Sequence, residues 1–328
     1  MKFIFFIAAT IVTGSVATAP FALAQSTAAG AAAAYPERPV RVIVGQGPGG
    51  GTDSVTRLIT QKFVEVFGQS FVVDNRPGAG GNIAGEMAAR ATPDGYTLIT
   101  VTPTHAINPS LYRKLMFDAV KDFAGVGQLV NAQYYLSVSN AVGVSSVKDL
   151  IALAKTRSPR LSYASSGIGS ANHLSGELFK TMAGIEMTHI PYKGGAPALA
   201  ALIGGEVQVS FTSSVVVAHS KAGRLKTIAV TGAKRTPLAP DIPTINEAGV
   251  TGFEVVGWYG LAAPAKTPKN VIDRLNSTMN RVLPELRERY AALGMDIAGG
   301  SANDFDTLLR SERDKWARVV KISGAKVE

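Results

Sequence analysis

Apolar runs of strand length alternate with stretches of helical period along most of the chain, and this alternation constrains the fold more than any other feature. The strand candidates are residues 40–44, 71–73, 96–101, 126–130, 134–138, 161–164, 187–190, 206–211, 226–231, 253–257 and 295–298. Between them, apolar residues such as Val55, Ile59 and Phe63 recur at helical spacing, and Gly68 is predicted to end the first helix. Such alternation predicts an α/β protein with mainly parallel sheets.

The C-terminal part of the chain departs from this alternation. Successive helices are expected over 268–283, 284–293 and 303–322, and Ser301 with Asp304 fits an N-terminal cap for the last of them. Helices in such succession indicate that the chain returns to cover an earlier domain.

The first residues, MKFIFFIAATIVTGSVATAPFALA, combine one basic residue, an apolar stretch and a terminal A-x-A sequence. This pattern predicts a secretory signal peptide over 1–24, cleaved after Ala24, and therefore export to a bacterial periplasm. A membrane anchor is the alternative, but the apolar run is shorter than the roughly 20 residues that a spanning helix needs. Residues 25–35 are predicted to be a flexible lead-in. Because the chain contains no cysteine, neither a lipid-modified N-terminal cysteine nor a disulfide is possible.

Length and charge narrow the class of protein further. The chain has 328 residues, and the part that follows the signal peptide is about twice as long as an average domain, so two domains are expected. The net charge is +9, yet the basic residues are scattered singly rather than in runs. This distribution indicates attraction to small anions rather than to nucleic acid.

Four predicted strand-to-helix junctions share one construction, which is rich in glycine and small hydroxyl residues. They are GQGPGGGTD at 45–53, DNRPGAGGN at 74–82, YASSGIGSANH at 163–173 and PYKGGAPA at 191–198. Each places free backbone N–H groups and the positive end of a helix dipole at the carboxyl end of a strand, where α/β proteins bind ligands. The junctions are therefore predicted to be binding sites for anions.

A dinucleotide site is one alternative for the first junction. Gly45, Gly47 and Gly50 satisfy G-x-G-x-x-G, and Asp74 follows at about the spacing of a ribose-binding acid. However, an exported protein does not normally meet a nicotinamide pool, and the glycine loop is used in both halves of the chain. No Gly-Lys-Ser/Thr follows the glycines, which excludes a Walker loop. We expect no cofactor, and a dinucleotide-dependent oxidoreductase remains an alternative.

Catalytic patterns are sparse. The four histidines show no paired metal-binding spacing, and no G-x-S-x-G sequence is present. Ser165, Ser166 or Ser170 with His173 would be the nucleophile and base of a secreted hydrolase, but serine-rich loops more often bind ligands or cap helices. We therefore expect a protein that is not an enzyme.

Seven ordered motifs carry a family resemblance that spans the chain from about residue 36 to its C-terminus. They are PERPVRVIVGQGPGGGTD, VDNRPGAGGNI, TPDGYTL, YASSGIGSANHLSGELFKTMAGI, HIPYKGGAPALAALIGGEV, PDIPTINEAGV and WYGLAAPAKTP. With these motifs the chain resembles the Bug-type periplasmic solute-binding proteins of the tripartite tricarboxylate transporter family.

The resemblance implies a two-lobed fold of the type II periplasmic-binding-protein class, in which each lobe is a central sheet flanked by helices. Lobe 1 would comprise 36–138 and 254–328, lobe 2 would comprise 139–253, and the ligand cleft would lie between them. The implied function is that of a receptor that closes on a small organic carboxylate, either aliphatic or aromatic, and delivers it to membrane transporter subunits. A sensor subunit that presents its ligand to a membrane kinase is the alternative. We expect a monomer with no nucleic-acid partner.

The resemblance also implies ligand contacts in both lobes. In lobe 1 they are Pro48, Gly49, Gly50, Gly51, Thr52 and Asp53, with Thr102, Thr104 and His105 as further candidates. In lobe 2 they are Ser165, Ser166, Gly167, Gly169 and Ser170, with Lys193 at the rim and Thr212 after a later strand.

Two positions depart from the family pattern. Thr212 and Ser213 stand where Asp and Asn are usual, which removes a partner for a ligand's ammonium group and disfavours amino-acid ligands. Gln46 and Gly47 stand where an apolar residue and proline are more common, and this departure falls within the first glycine loop.

Overall fold

The computed structural model describes residues 35–325, and the chain from Pro36 onward forms one compact unit. The predicted signal peptide and residues 25–34 of the predicted lead-in lie outside the described residues. Within the unit, two β-sheets are each flanked by helices, which confirms the α/β prediction. No helix of the described part is long and apolar enough to cross a membrane.

The first sheet has six strands in the order β11-β4-β10-β3-β1-β2. They are β1 (Val40–Val44), β2 (Phe71–Asn75), β3 (Thr97–Val101), β4 (Phe123–Gln133), β10 (Val256–Pro264) and β11 (Met295–Ile297). The second sheet has five strands in the order β7-β6-β8-β5-β9. They are β5 (Tyr135–Val138), β6 (Ser162–Ser165), β7 (Thr188–Pro191), β8 (Val209–Thr212) and β9 (Lys226–Val230). We call each sheet with its helices a lobe, lobe 1 for the first and lobe 2 for the second.

The helices connect these strands. They are α1 (Gly51–Phe67), α2 (Asn82–Ala89), α3 (Pro103–Leu111), α4 (Val147–Thr156), α5 (Ala171–Ala183), α6 (Gly195–Gly204), α7 (Val215–Lys221), α8 (Lys269–Val282), α9 (Arg287–Ala292) and α10 (Ala302–Ser323). Gly68 ends α1 in the left-handed conformation, and Ser301 with Asp304 forms a capping box for α10, both as predicted.

The expectation of mainly parallel sheets was wrong. β1 pairs in parallel with β2 and β3, and β6 with β7 and β8, but β10 is antiparallel to β3 and β4, β5 to β8 and β9, and β11 to β4. Parallel neighbours require a crossover, usually a helix. β5 and β10 instead enter their sheets directly from the other lobe, so they run against their neighbours.

Two segments carry the chain between the lobes. Tyr134 separates β4 from β5, and the chain returns over 231–255 between β9 and β10. Thr231 joins the two crossings, because its N–H donates to the Tyr134 carbonyl at 3.0 Å and its carbonyl accepts from the Val255 N–H at 2.8 Å. The predicted lobe boundaries at 138/139 and 253/254 stay a prediction, a few residues from these points.

The C-terminal helices cover lobe 1, as their succession in the sequence predicted. α8 packs on α1 and β4, and α10 packs on α3 and β4. Phe305, Leu309 and Trp316 of α10 are buried. α10 also reaches α5 of lobe 2. The last helix therefore contacts both lobes.

Candidate functional site

A cleft of about 630 Å³ lies between the two lobes, which is a size typical of sites for small organic molecules. Lobe 1 lines it with the first glycine loop, the start of α3 and three aromatic side chains, and lobe 2 with the starts of α5, α6 and α7. The lining residues are Gln46, Gly47, Pro48, Gly50, Gly51, Thr52, Thr102, Pro103, Thr104, Tyr134, Trp258 and Tyr259 from lobe 1, with Ser166, Ser170, Ala171, Asn172, Gly194, Gly195, Ala196, Leu199, Thr212, Ser213 and Val215 from lobe 2.

Four helices of eight or more residues begin at this cleft, two from each lobe. Their N-cap residues are Gly50 for α1, Thr102 for α3, Ser170 for α5 and Gly194 for α6, and all four line the cleft. The first amides of a helix have no partner within the helix, and no side chain caps α1, α3 or α6. The helix dipoles and free amides therefore make the cleft favourable for an anion.

The described residues that line the cleft include no Asp, Glu, Lys or Arg. An anion in the cleft would be bound by backbone amides, by hydroxyls such as those of Thr52 and Ser166, and by the Asn172 amide. Within residues 35–325, no carboxylate lines the cleft to bind a ligand's ammonium group. Across residues 35–325, moreover, no cluster of three His, Asp or Glu side chains could hold a metal ion.

Three aromatic side chains form the wall of the cleft beside the crossings. Tyr134 lies in the first crossing, and Trp258 and Tyr259 lie at the start of β10. The Trp258 indole donates to Glu312 Oε2 at 3.0 Å. Burial raises the pKa of Tyr134 and of Tyr259, so both phenols stay neutral. Tyr134 and Tyr259 are partly exposed and offer ring surface to the carbon skeleton of a ligand, whereas Trp258 is only 2% exposed.

The carboxylate of Asp53 fixes the shape of the first glycine loop. It accepts from the Gly49 N–H at 2.9 Å, Arg57 Nε at 2.9 Å and Asn75 Nδ2 at 3.0 Å. Asn75 Nδ2 also donates to the Gln46 carbonyl at 3.0 Å. The hydrogen bond from Arg57 leads the interactions that hold the pKa of Asp53 below its usual range, so the carboxylate is ionised at neutral pH. Asp53 is 3% exposed and therefore lies behind the loop.

Hydroxyl and amide side chains shape the loop of lobe 2. Ser166 Oγ donates to Asn172 Oδ1 at 2.9 Å, and both residues line the cleft. Ser170 Oγ donates to the Gly167 carbonyl at 2.6 Å and accepts from the His173 N–H at 3.3 Å. Ser165 is fully buried, and its Oγ lies 2.6 Å from His189 Nε2. Since that hydroxyl is closed to solvent, the serine is not accessible to a substrate.

A side chamber of about 250 Å³ adjoins the cleft. It shares Gln46, Thr104, Ser166 and Ser170 with the cleft and is lined further by Gly167, Gly169, Asn108 and Tyr112, among others. The Gln46 Oε1 atom is buried and has no hydrogen-bond partner among the described residues. The position that departs from the family pattern thus lies where the two spaces meet.

The structure brings nine of the predicted residues into the cleft. These are Pro48, Gly50, Gly51, Thr52, Thr102, Thr104, Ser166, Ser170 and Thr212. Gly167 and Gly169 line the side chamber instead. Gly49, Asp53 and Ser165 support the loops through hydrogen bonds, and Lys193 is exposed and does not line the cleft. Ligand contact by any of them stays a prediction.

His105 lies in the core of lobe 1. Its Nε2 is 2.9 Å from the Ala119 carbonyl, and its ring packs on Phe117 and Phe123. Burial lowers the pKa of His105 to about 4, so the ring is neutral at pH 7. Its position is that of an interior histidine.

Several lining residues were not among the predicted ligand contacts. The fourth glycine-rich junction contains Gly194, Gly195 and Ala196, so its composition alone could have indicated them as lining residues. Trp258 and Tyr259 are adjacent aromatic residues in the motif WYGLAAPAKTP, which is a weaker indication. Leu199 and Tyr134 carried no signal, because only the packing of α6 and the crossing brings them to the cleft, whereas Asn172 belongs to the third glycine-rich junction.

Asp74, the acidic residue that a dinucleotide site would use to bind a ribose, already binds two arginines. Asp74 Oδ2 accepts from Arg41 Nε at 2.7 Å and from Arg76 Nε at 3.1 Å, and Asp74 does not line the cleft. The G-x-G-x-x-G spacing therefore has no free carboxylate for a ribose.

Comparison with known proteins agrees with this geometry. Residues 55–325 match the model of the tripartite tricarboxylate transporter family receptor. A UPF0065 protein from the tcbD-tcbE intergenic region of Pseudomonas sp. (strain P51) is 33% identical over 300 residues, which cover 90% of this chain and 89% of that protein. The structure of R. palustris Rpa4515 with adipate matches at a TM-score of 0.80 with 40% identity, covering 89% of this chain and all of that one. The periplasmic binding protein BugD matches at 0.77 with 33% identity, covering 90% of this chain and all of its own. The two-lobed fold that the resemblance implied is confirmed.

Proposed function

The chain belongs to the tripartite tricarboxylate transporter receptor family of periplasmic solute-binding proteins, and on that premise we propose that it binds a small organic carboxylate in the interlobe cleft and delivers it to membrane transporter subunits. The observation that carries the proposal is the set of four helix N-termini at a cleft whose lining has no charged side chain. Backbone amides bind any carboxylate, so the shape of the cleft selects the ligand.

Binding would work by closure of the two lobes. Because two of the helix N-termini belong to each lobe, a carboxylate gains its full set of contacts only when both lobes meet it. The ligand would therefore shift an equilibrium from open to closed forms. The closed form would present one continuous surface to the transporter.

The carbon skeleton of the ligand would lie against the rings of Tyr134 and Tyr259. The R. palustris relative was solved with adipate, an aliphatic dicarboxylate, and the cleft is large enough for aliphatic or aromatic carboxylates. With no acidic side chain in the lining, an amino acid would leave its ammonium group unpaired, which disfavours amino-acid ligands.

A thermal-shift screen of residues 25–328 tests the proposal. Adipate, shorter aliphatic dicarboxylates and benzoate are the candidates, and aspartate is the matched control because it adds an ammonium group to a dicarboxylate. A ligand at 100 times its Kd should stabilise the fold by about 2.7 kcal/mol and raise the Tm by a few degrees. NAD is included, and a shift with NAD but with no carboxylate would replace this proposal by the oxidoreductase alternative.

We also propose that residues 1–24 direct export and are removed after Ala24. The intact mass of the protein recovered from the periplasm, which should begin at Gln25, tests this; a mass that retains residues 1–24 would contradict it.

A further inference from the structure

Two histidines stack face to face behind the loop of lobe 2. His173 belongs to α5 and His189 to β7, and their ring centroids are 3.9 Å apart with planes at 20°. The Tyr163 ring of β6 stacks on His189 at 4.9 Å. Neither histidine lines the cleft, so a role in direct ligand contact does not explain the pair.

Each histidine contacts one end of the loop that enters the cleft. The Gly169 N–H donates to His173 Nδ1 at 3.1 Å, and His189 Nε2 lies 2.6 Å from Ser165 Oγ. Between these two points the chain carries Ser166, which lines the cleft, and Ser170 follows directly at the N-terminus of α5. The pair is therefore attached to both ends of one binding loop.

We propose that His173 and His189 are positioning residues for the ligand, which hold the loop from Ser165 to Ser170 so that Ser166 and the first amides of α5 face the cleft. This inference rests on the proposed function, since it concerns the affinity of the same cleft. His173 acts through Gly169, and His189 acts through Ser165.

The loop requires His173 to be neutral. Nδ1 accepts a hydrogen bond only when the ring proton is on Nε2. Burial is the main cause that lowers the pKa of His173 to about 4, and the charge of Lys180 lowers it further. The ring also stands at the positive end of the α5 dipole, which disfavours a cation there.

The groups that face the two histidines also favour neutral rings. Burial, followed by the neighbouring His173, lowers the pKa of His189 to about 4. Glu177 and Lys180 of α5 are the charged groups beside the pair, and they bind each other at 2.9 Å. The Tyr163 hydroxyl donates to Glu177, and burial raises its pKa, so it stays protonated. Both rings are therefore neutral at pH 7.

Protonation would release the loop. A proton on His173 Nδ1 would set an N–H against the Gly169 N–H, so that two donors face each other. Because the pKa of His173 is depressed, this occurs as the pH falls towards 4. Ligand affinity should fall over the same interval, beyond the change caused by titration of the ligand itself.

Two substitutions at His173 distinguish the effect of the acceptor atom from the effect of the stacked ring. His173→Asn retains an acceptor near the position of Nδ1 and does not titrate, whereas His173→Phe retains a flat stacking ring without an acceptor. By calorimetry with adipate at pH 7, the Asn variant should bind within about threefold of the wild type and the Phe variant about tenfold more weakly. If another carboxylate of the screen stabilises the protein more than adipate does, that carboxylate is the probe.

The pH profile is compared between the wild type and His173→Asn with the same ligand. Titration of the ligand is common to both, so the ratio of their Kd values isolates the histidine. The wild type should lose several-fold more affinity than the Asn variant between pH 7 and pH 4. Equal losses in the two proteins would overturn the proposal.

Phe179→Leu is the matched control for a loss of stability in lobe 2. Phe179 is fully buried, packs on Phe211 and Phe253, and does not line the cleft. Its substitution should lower the Tm but leave the Kd unchanged. If His173→Phe likewise lowers the Tm without changing the Kd, or if the Asn and Phe variants weaken binding equally, His173 does not position the loop.

Imidazole nitrogen NMR on the unliganded wild type provides a measurement that needs no variant and no ligand. His173 should carry its proton on Nε2 at pH 7, and a proton on Nδ1 or an imidazolium would overturn the inference. If the wild type binds none of the carboxylates, the proposed function fails while this spectrum still reports on the histidine.

Discussion

The carboxylate of Asp53 shows how one residue determines the shape of a binding loop. Its three partners, Gly49, Arg57 and Asn75, come from the loop, from α1 and from the end of β2. Asp53→Asn keeps the size of the side chain but loses the charge. Because the Arg57 side chain is half exposed, we expect a loss of about 1–2 kcal/mol in the free energy of unfolding at pH 7, measured by urea denaturation.

This loss should depend on pH in a defined direction. The folded-state pKa of Asp53 is depressed below the ordinary value of 3.8. Its contribution is therefore complete above the unfolded pKa and disappears as the pH falls through the lower folded value. The difference between the wild type and Asp53→Asn should shrink below about pH 4. Asp241→Asn, at an exposed position, is the control, and a similar loss there would contradict the assignment.

Gly50 offers a test of ligand approach at the first loop. An added Cβ would meet only the Gly47 carbonyl, at an ordinary contact distance of 3.6 Å, so the fold should tolerate a side chain. Since Gly50 lines the cleft at the start of α1, Gly50→Val should obstruct the amides and weaken adipate binding by more than about tenfold in calorimetry. Gly204→Val, at an exposed position with open space, is the matched control. Unchanged affinity in Gly50→Val would exclude the loop from the site.

The sequence predicted the loops better than it predicted the direction of their side chains. Thr52 and Asp53 are neighbours in one motif, yet Thr52 lines the cleft and Asp53 lies behind it. The first turn of α1 rotates successive side chains by about 100°, and sequence spacing alone does not say which one faces the partner lobe. His105 shows the same effect, because the turn of α3 carries its ring into the core.

At the scale of elements, α10 is joined to β10 through one buried carboxylate. Glu312 Oε2 accepts from Trp258 Nε1 at 3.0 Å and from Trp316 Nε1 at 2.9 Å. Glu312→Ala would leave two buried indole N–H groups without partners. We expect a loss of about 2–5 kcal/mol in the free energy of unfolding, measured by urea denaturation.

Glu312→Gln is the matched variant. The Gln oxygen can still accept from the indoles, and Lys315, whose side chain is 26% exposed, can turn towards solvent. We expect less than half of the loss seen with Glu312→Ala. Equal losses in both variants would mean that the charge, rather than the indole hydrogen bonds, stabilises this contact.

The strands were predictable because their apolar runs are local in the sequence, but their pairing was not. β1 and β3 follow the expected parallel arrangement. β10 is antiparallel to β3 and β4 because it arrives from lobe 2, and that path depends on the crossing at Thr231. No helix was predicted over Pro103–Leu111, where the structure has α3. Pro103 occupies the first helical position, where proline is tolerated.

At the scale of the whole molecule, the cleft that is proposed to bind an anion has no charged side chain among its described lining residues. Two helix N-termini from each lobe supply partial charges that are fixed in the backbone. Such a site loses no affinity to the protonation of a lining carboxylate or lysine. Its remaining sensitivity to pH arises from the ligand and from the histidine pair behind one loop. The same arrangement explains why the sequence indicated an anion but not which one, since the selecting surface exists only when both lobes are folded.

The tryptophan arrangement has an optical consequence. The chain has two tryptophans, both bonded to Glu312, and Trp258 lines the cleft. Indole emission responds to nearby charge. A carboxylate bound in the cleft should therefore change the emission of Trp258, whose indole N–H already donates to the Glu312 carboxylate. On the proposed function, tryptophan fluorescence should therefore report ligand binding without an attached dye.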